Sequence, residues 1–149
     1  MKQVNIYIYM TQKGPKKHTG AYTYILEYPV SKGPVTLSKT GTYEESTMQQ
    51  AELRIMIEAL KRLSKTCELT IYTELTYAAP AIEKGWLVKW QQNNWLTAKG
   101  DPVANREEWE ELAVLLNKHV YKFVVKEEHT YRAWMIRETK KAEEKLCRV

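Results

Sequence analysis

Two glutamates, Glu52 and Glu74, stand where the chain could bring carboxylates to one place, although 22 positions separate them. Glu52 lies near the start of TMQQAELRIMIEALKRLSK, a stretch with helical spacing, and Glu74 closes ELTIYTE, a stretch with strand character. Carboxylates that meet either raise one another's pKa and share protons, or take up a hard cation such as Mg²⁺. The plainer alternative is satisfaction by water, lysines or tyrosine hydroxyls.

The helix that carries Glu52 is read from Leu53, Met56, Ile57, Leu60 and Leu63, which share one stripe of a 3.6-residue period. Glu52 falls at the rim of that stripe and Gln49 within it. Thr47 precedes the helix as its expected cap, with a phosphate contact as the functional alternative. The following strand puts Leu69, Ile71 and Thr73 on one face and Thr70, Tyr72 and Glu74 on the other. A helix feeding such a strand is half of a parallel crossover unit, whose crevices lie at the carboxyl ends of the strands. Glu74 sits at such an end.

The other acids narrow the options. Of 18, only Asp101 is an aspartate, and none precedes Glu27, so the first 26 residues supply no carboxylate to any site. The chain of 149 residues is long enough for one domain, expected over 1–149. Its net charge of +5 and pI near 9.1 favour a polyanionic partner. No apolar run approaches the ~20 residues of a membrane span, and the amino terminus lacks a signal-peptide core, so a cytoplasmic protein is expected. Cys67 and Cys147 have no metal-like spacing and are expected as reduced thiols.

Val4 to Met10 alternates with period two, and Gly20 to Tyr28 and Val35 to Tyr43 read as two further strands. Between the first two lies a basic loop with Lys13, Lys16, Lys17 and His18 around Gly14-Pro15. After Glu74, a short helix over Leu75 to Glu83 breaks at Gly85. Trp86 and Trp90 then fall one helical turn apart, beside Lys84 and Lys89. Asn105 is placed to cap a helix over Arg106 to Asn117, and Tyr121 to Val125 is a strand. In the last helix, Tyr131 to Leu146, an apolar stripe of Tyr131, Trp134, Met135, Ala142 and Leu146 contains Glu138. Lys140, Lys141, Lys145 and Arg148 make its solvated basic face. The order βββαβααβα predicts an α/β fold: a five-stranded mixed sheet, three strands antiparallel and then parallel ones, with helices on both faces.

These residues resemble the ribonuclease H family from Val4 to Leu146. The opening strand VNIYIY, the AEL of Ala51 to Leu53 and the TEL of Thr73 to Leu75 followed by Tyr77 all match. The most specific signal is W-x3-W-x4-W-x6-P-x2-N-x3-W, from Trp86 through Trp90, Trp95, Pro102 and Asn105 to Trp109. The resemblance implies a ribonuclease H-like fold and four carboxylates, in the order Asp, Glu, Asp, Asp, holding two Mg²⁺ ions that cleave the RNA strand of an RNA/DNA hybrid. By position these fall on Tyr9, Glu52, Glu74 and Glu138. The expected metal and catalytic residues are therefore Glu52, Glu74 and Glu138, with Tyr9 in the place of the lost acid.

That set departs from the family pattern. Mg²⁺ takes hard oxygens at ~2.0–2.1 Å in near-octahedral geometry, and a neutral phenol supplies neither charge nor bridging oxygens. The family's Asp-Gly-Ser turn is replaced by Tyr9-Met10-Thr11, and His129, after Glu127 and Glu128, stands in for a loop histidine. The resemblance implies nucleic-acid contacts at Thr47, Gln49, Lys84, Trp86, Lys89, Trp90 and Asn105; tryptophans at helical spacing also serve as core. The reading is a ribonuclease H-like protein of impaired or absent catalysis that binds RNA/DNA hybrid or RNA, or acts as an interaction module. The alternative is an active ribonuclease H with a Glu-rich site. No cofactor is required by this reading, weakly held Mg²⁺ or Mn²⁺ being the candidate; nucleic acid is the expected partner, with a protein partner as the alternative, and a monomer the expected state.

Overall fold

In a computed structural model of the chain, residues 1–147 are described; Arg148 of the basic face lies outside them. Period-two alternation builds a meander of β1 (Lys2–Met10), β2 (His18–Tyr28) and β3 (Val35–Ser46). Val4, Ile6, Ile8 and Met10 point to one face of the sheet and are at most 3% exposed, while Tyr7 points to the other. Because one face must meet the core, the register is fixed: Tyr7 lies opposite Ile25 in antiparallel β2 and beside Tyr72 in parallel β4 (Cys67–Thr73). With β5 (Val120–Val125) parallel to β4, the sheet runs β3-β2-β1-β4-β5. This is the mixed five-stranded ribonuclease H-like arrangement that the sequence predicts.

Helix α1 (Met48–Leu60) lies on the first face, over β1, β2 and β3, with Leu53, Ile55, Met56, Ile57 and Leu60 buried. Its start is fixed by Thr47, whose hydroxyl oxygen accepts the Gln50 amide N–H at 3.1 Å. Gln49, expected within the stripe, is exposed. Gln50 turns inward instead, donating to Glu108 at 3.0 Å.

Between β4 and β5 the chain forms three helices where the sequence order counts two: α2 (Ala78–Glu83), α3 (Trp86–Gln92) and α4 (Arg106–Leu116). Gly85 divides the first pair, since its φ of 80° ends α2 and starts α3. Asn105, expected to cap α4 with its side chain, makes no such bond; its backbone is left-handed at φ 60° and its amide donates to the Tyr77 hydroxyl.

Helix α5 (Arg132–Leu146) covers the second face, over β1 and β2. Of the expected apolar stripe Met135 is buried and Tyr131 packs beside it, whereas Trp134 is 37% and Leu146 39% exposed, and the second buried position is the polar Thr139. Met135 packs on Tyr7 and Ile25, and the Thr139 hydroxyl bonds to the Thr23 hydroxyl at 2.8 Å. Both cysteines are free thiols.

Candidate functional site

At the carboxyl ends of β1 and β4, Tyr9 and Glu74 lie two residues beyond the Tyr7–Tyr72 pair and on the same face. The first turn of α5 lowers Arg132 onto this spot, and its Nη2 donates to Glu74 Oε1 at 3.0 Å. The Glu74 side chain is only 8% exposed, so a carboxylate there needs a counter-charge. Arg132 provides it. Tyr9 stays a neutral phenol, held above the ordinary tyrosine value by burial and then by the Glu74 carboxylate, against the pull of Arg132. The ion pair is incomplete: Glu74 Oε2 and Arg132 Nε are both buried without a hydrogen-bond partner.

Glu52 lies one layer away, in the wall between α1 and the chain that follows β4. It is 1% exposed, and its Oε1 accepts the Ala78 amide N–H at 3.0 Å. Burial pushes its carboxyl up to about 7, and the Ala78 bond offsets only part of that. Glu52 therefore exchanges its proton near neutrality. It lines a cleft of about 390 Å³ with Lys13, Thr47, Gln49, Thr76 and Tyr77.

Glu138 does not join them. It pairs with Lys141 at 2.9 Å and lines a separate groove with Thr40 to Thr42 of β3. The reason is helical phase: Glu138 is six residues from Arg132, about 120° around α5, so one face cannot present both. His129 is also withdrawn. Its ring packs 4.7 Å from that of Tyr7, its Nδ1 accepts the Tyr131 amide N–H, and burial with Lys126 and Arg132 nearby holds it below the ordinary histidine value. Among the described residues, no group of three or more His, Cys, Asp or Glu side chains is placed to hold a metal ion.

The tryptophan segment splits between core and surface. Trp109 is fully buried and donates from Nε1 to the Tyr77 hydroxyl at 3.1 Å, and Trp90 packs edge-on against it. Asn105 is bound into the same Tyr77 hydroxyl. Trp86 is 43% exposed, stacked on Trp90 and covered by the Lys89 ammonium at 4.8 Å, with Lys84 exposed nearby. Of the residues expected to touch nucleic acid, Gln49, Lys84, Trp86 and Lys89 are solvent-facing, whereas Trp90 and Asn105 serve chiefly to hold α3 and α4 in place.

A family model described as RNase H matches residues 2–132 of the chain. The chain belongs to the ribonuclease H family. It is similar to a ribonuclease H of Clostridium botulinum, with 35% identity over 132 residues covering 87% of this chain and 86% of that one. To a ribonuclease H of Caldicellulosiruptor saccharolyticus it is 38% identical over 125 residues, 83% and 81% of the two chains. Among solved structures, LC9-RNase H1, a type 1 RNase H with the type 2 active-site motif, superposes with a TM-score of 0.75 at 18% identity, over 97% of this chain and 73% of that one. The PFV RNase H domain does so with a TM-score of 0.63 at 15% identity, over 97% and 92%. At these identities the structural likeness concerns fold alone.

Sequence reasoning missed Arg132, on which the ribonuclease H match ends. A signal was present: α5 has no acid in its first turn and begins with an arginine, the charge that a helix amino terminus disfavours. A cation in that position needs an outside partner.

Proposed function

We propose that this ribonuclease H family member binds RNA/DNA hybrid and cleaves its RNA strand slowly or not at all. The reading is supported above all by the Glu74–Arg132 ion pair at the strand ends, where family resemblance implies carboxylates around two Mg²⁺ ions. The residues present do not suit such a centre. Two-metal hydrolysis holds ions ~3.5–4 Å apart on shared carboxylates. Here Glu74 is already neutralised by a guanidinium, Tyr9 carries no charge, and Glu52 is partly protonated at neutral pH.

What the chain's own residues can do is bind. Lys13 and Gln49 line one wall of the Glu52 cleft, and Lys89 and Trp86 form an exposed cationic and aromatic lip on α3. Ammonium groups meet phosphates, an exposed indole stacks on a base or sugar, and the Thr47 hydroxyl, bound as an acceptor to Gln50, still has its proton to donate.

The test is an assay of hybrid binding and cleavage on one preparation, with Mg²⁺ and with Mn²⁺. Salt-sensitive binding without cleavage is expected. Metal-dependent cleavage that Glu52→Gln abolishes would overturn the reading in favour of an active ribonuclease H, the alternative favoured by 35% identity to a curated ribonuclease H.

A further inference from the structure

The half-made ion pair at the end of β4 is better suited to a phosphate than to a metal. A guanidinium carries five N–H donors in a planar fork that matches two oxygens of a phosphate. Arg132 commits one of them, from Nη2 to Glu74 Oε1, and its buried Nε finds no acceptor. Its side chain keeps 32% of its surface exposed, at the carboxyl ends of the parallel strands. One further observation sets this arginine apart from ordinary helix chemistry. Arginine in the first turn opposes the helix dipole, so α5 gains nothing from it locally.

We propose that Arg132 takes the place that a divalent cation would fill, meeting a backbone phosphate of the bound nucleic acid so that binding needs no metal. The proposal rests on the reading that the chain binds RNA/DNA hybrid. Glu74 then acts as a positioning residue. It holds the guanidinium at the strand ends and partly masks its charge until a phosphate arrives to share it.

The probe is a fluorescently labelled RNA/DNA hybrid, titrated with the full chain in EDTA and in Mg²⁺ over a range of salt. The wild type is expected to bind equally well in both. Arg132→Gln should weaken binding about tenfold, the effect of one charge-assisted contact. It should also make the log–log salt slope shallower by about one phosphate. Glu74→Gln, which unmasks the guanidinium, should tighten binding, and the double variant Glu74→Gln with Arg132→Gln should lose that gain. The double variant leaves no unpaired buried charge, and melting temperatures of all four proteins separate lost contacts from lost fold.

Wild-type binding that requires Mg²⁺ would overturn the metal-free contact while leaving hybrid binding itself intact. Equal binding by Glu74→Gln and the double variant would overturn the role of Arg132. No hybrid binding under any condition would overturn this proposal together with the reading beneath it.

Discussion

Glu52 is a carboxyl 1% exposed with one amide for a partner, and this gives the protein a pH signature. Its folded value is about 7 and its ordinary value 4.5, so below pH 4.5 it is protonated in both states and has no effect. As pH rises from 4.5 to 7 the unfolded chain sheds the proton first, and stability falls. Above 7 the deficit is constant at roughly 3 kcal/mol. Glu52→Gln keeps an oxygen for the Ala78 amide and removes the titration. It should therefore be more stable than the wild type by about 2 kcal/mol at pH 8 and no different near pH 4.5, read from urea midpoints. An equal difference at both pH values would show that packing, not charge, sets the effect. His129 acts in the opposite sense: held below its ordinary value of 6.5, it removes stability as pH falls through that value, so it offsets Glu52 in the same range and only the comparison with Glu52→Gln isolates the glutamate.

Among the elements, α1 and α5 show why one helix can be read from sequence and another cannot. In α1 the buried positions other than Glu52 are apolar and fall at helical spacing, so the apolar pattern and the packing face coincide. In α5 the buried positions are Met135 and Thr139, the latter satisfied by the Thr23 hydroxyl, while Arg132 reaches out of the helix to Glu74. Polar residues satisfied across an interface leave no trace in a hydrophobic period, and Trp134 and Leu146 widen the expected stripe beyond the face that Met135 and Tyr131 do occupy. Glu138, placed in the site by the family resemblance, lies on the flank of that face, against β3. Asn105 is the same case on a smaller scale: its side chain binds Tyr77, 28 residues away, rather than its own helix. The corrected face of α5 has a direct consequence. Met135→Ala should cost about 2–4 kcal/mol as a large-to-small change at a fully buried site, whereas Trp134→Ala should cost less than about 1 kcal/mol. Denaturant unfolding of the two variants compares them, and the reverse order would show that Trp134, not Met135, carries the packing of α5.

For the whole molecule, the mixed sheet was legible because each strand's alternation and the crossover through α1 constrain topology strongly. The cleft residue Glu52 was legible for the same reason, as a polar position at the edge of an apolar stripe. The partner of Glu74 was not, since Arg132 lies 58 positions away and its type is the opposite of what a cluster of acids would suggest. The result is a member of the ribonuclease H family whose strand ends carry a neutral ion pair within a chain of net charge +5. On the proposed reading such a site takes a phosphate in preference to a cation. The most direct measurement is paramagnetic line broadening by Mn²⁺ in amide spectra of the protein, alone and bound to an RNA/DNA hybrid. The account predicts no saturable broadening centred on Tyr9, Glu52, Glu74 and Arg132 in either state, and saturable broadening that converges on those four amides would contradict it.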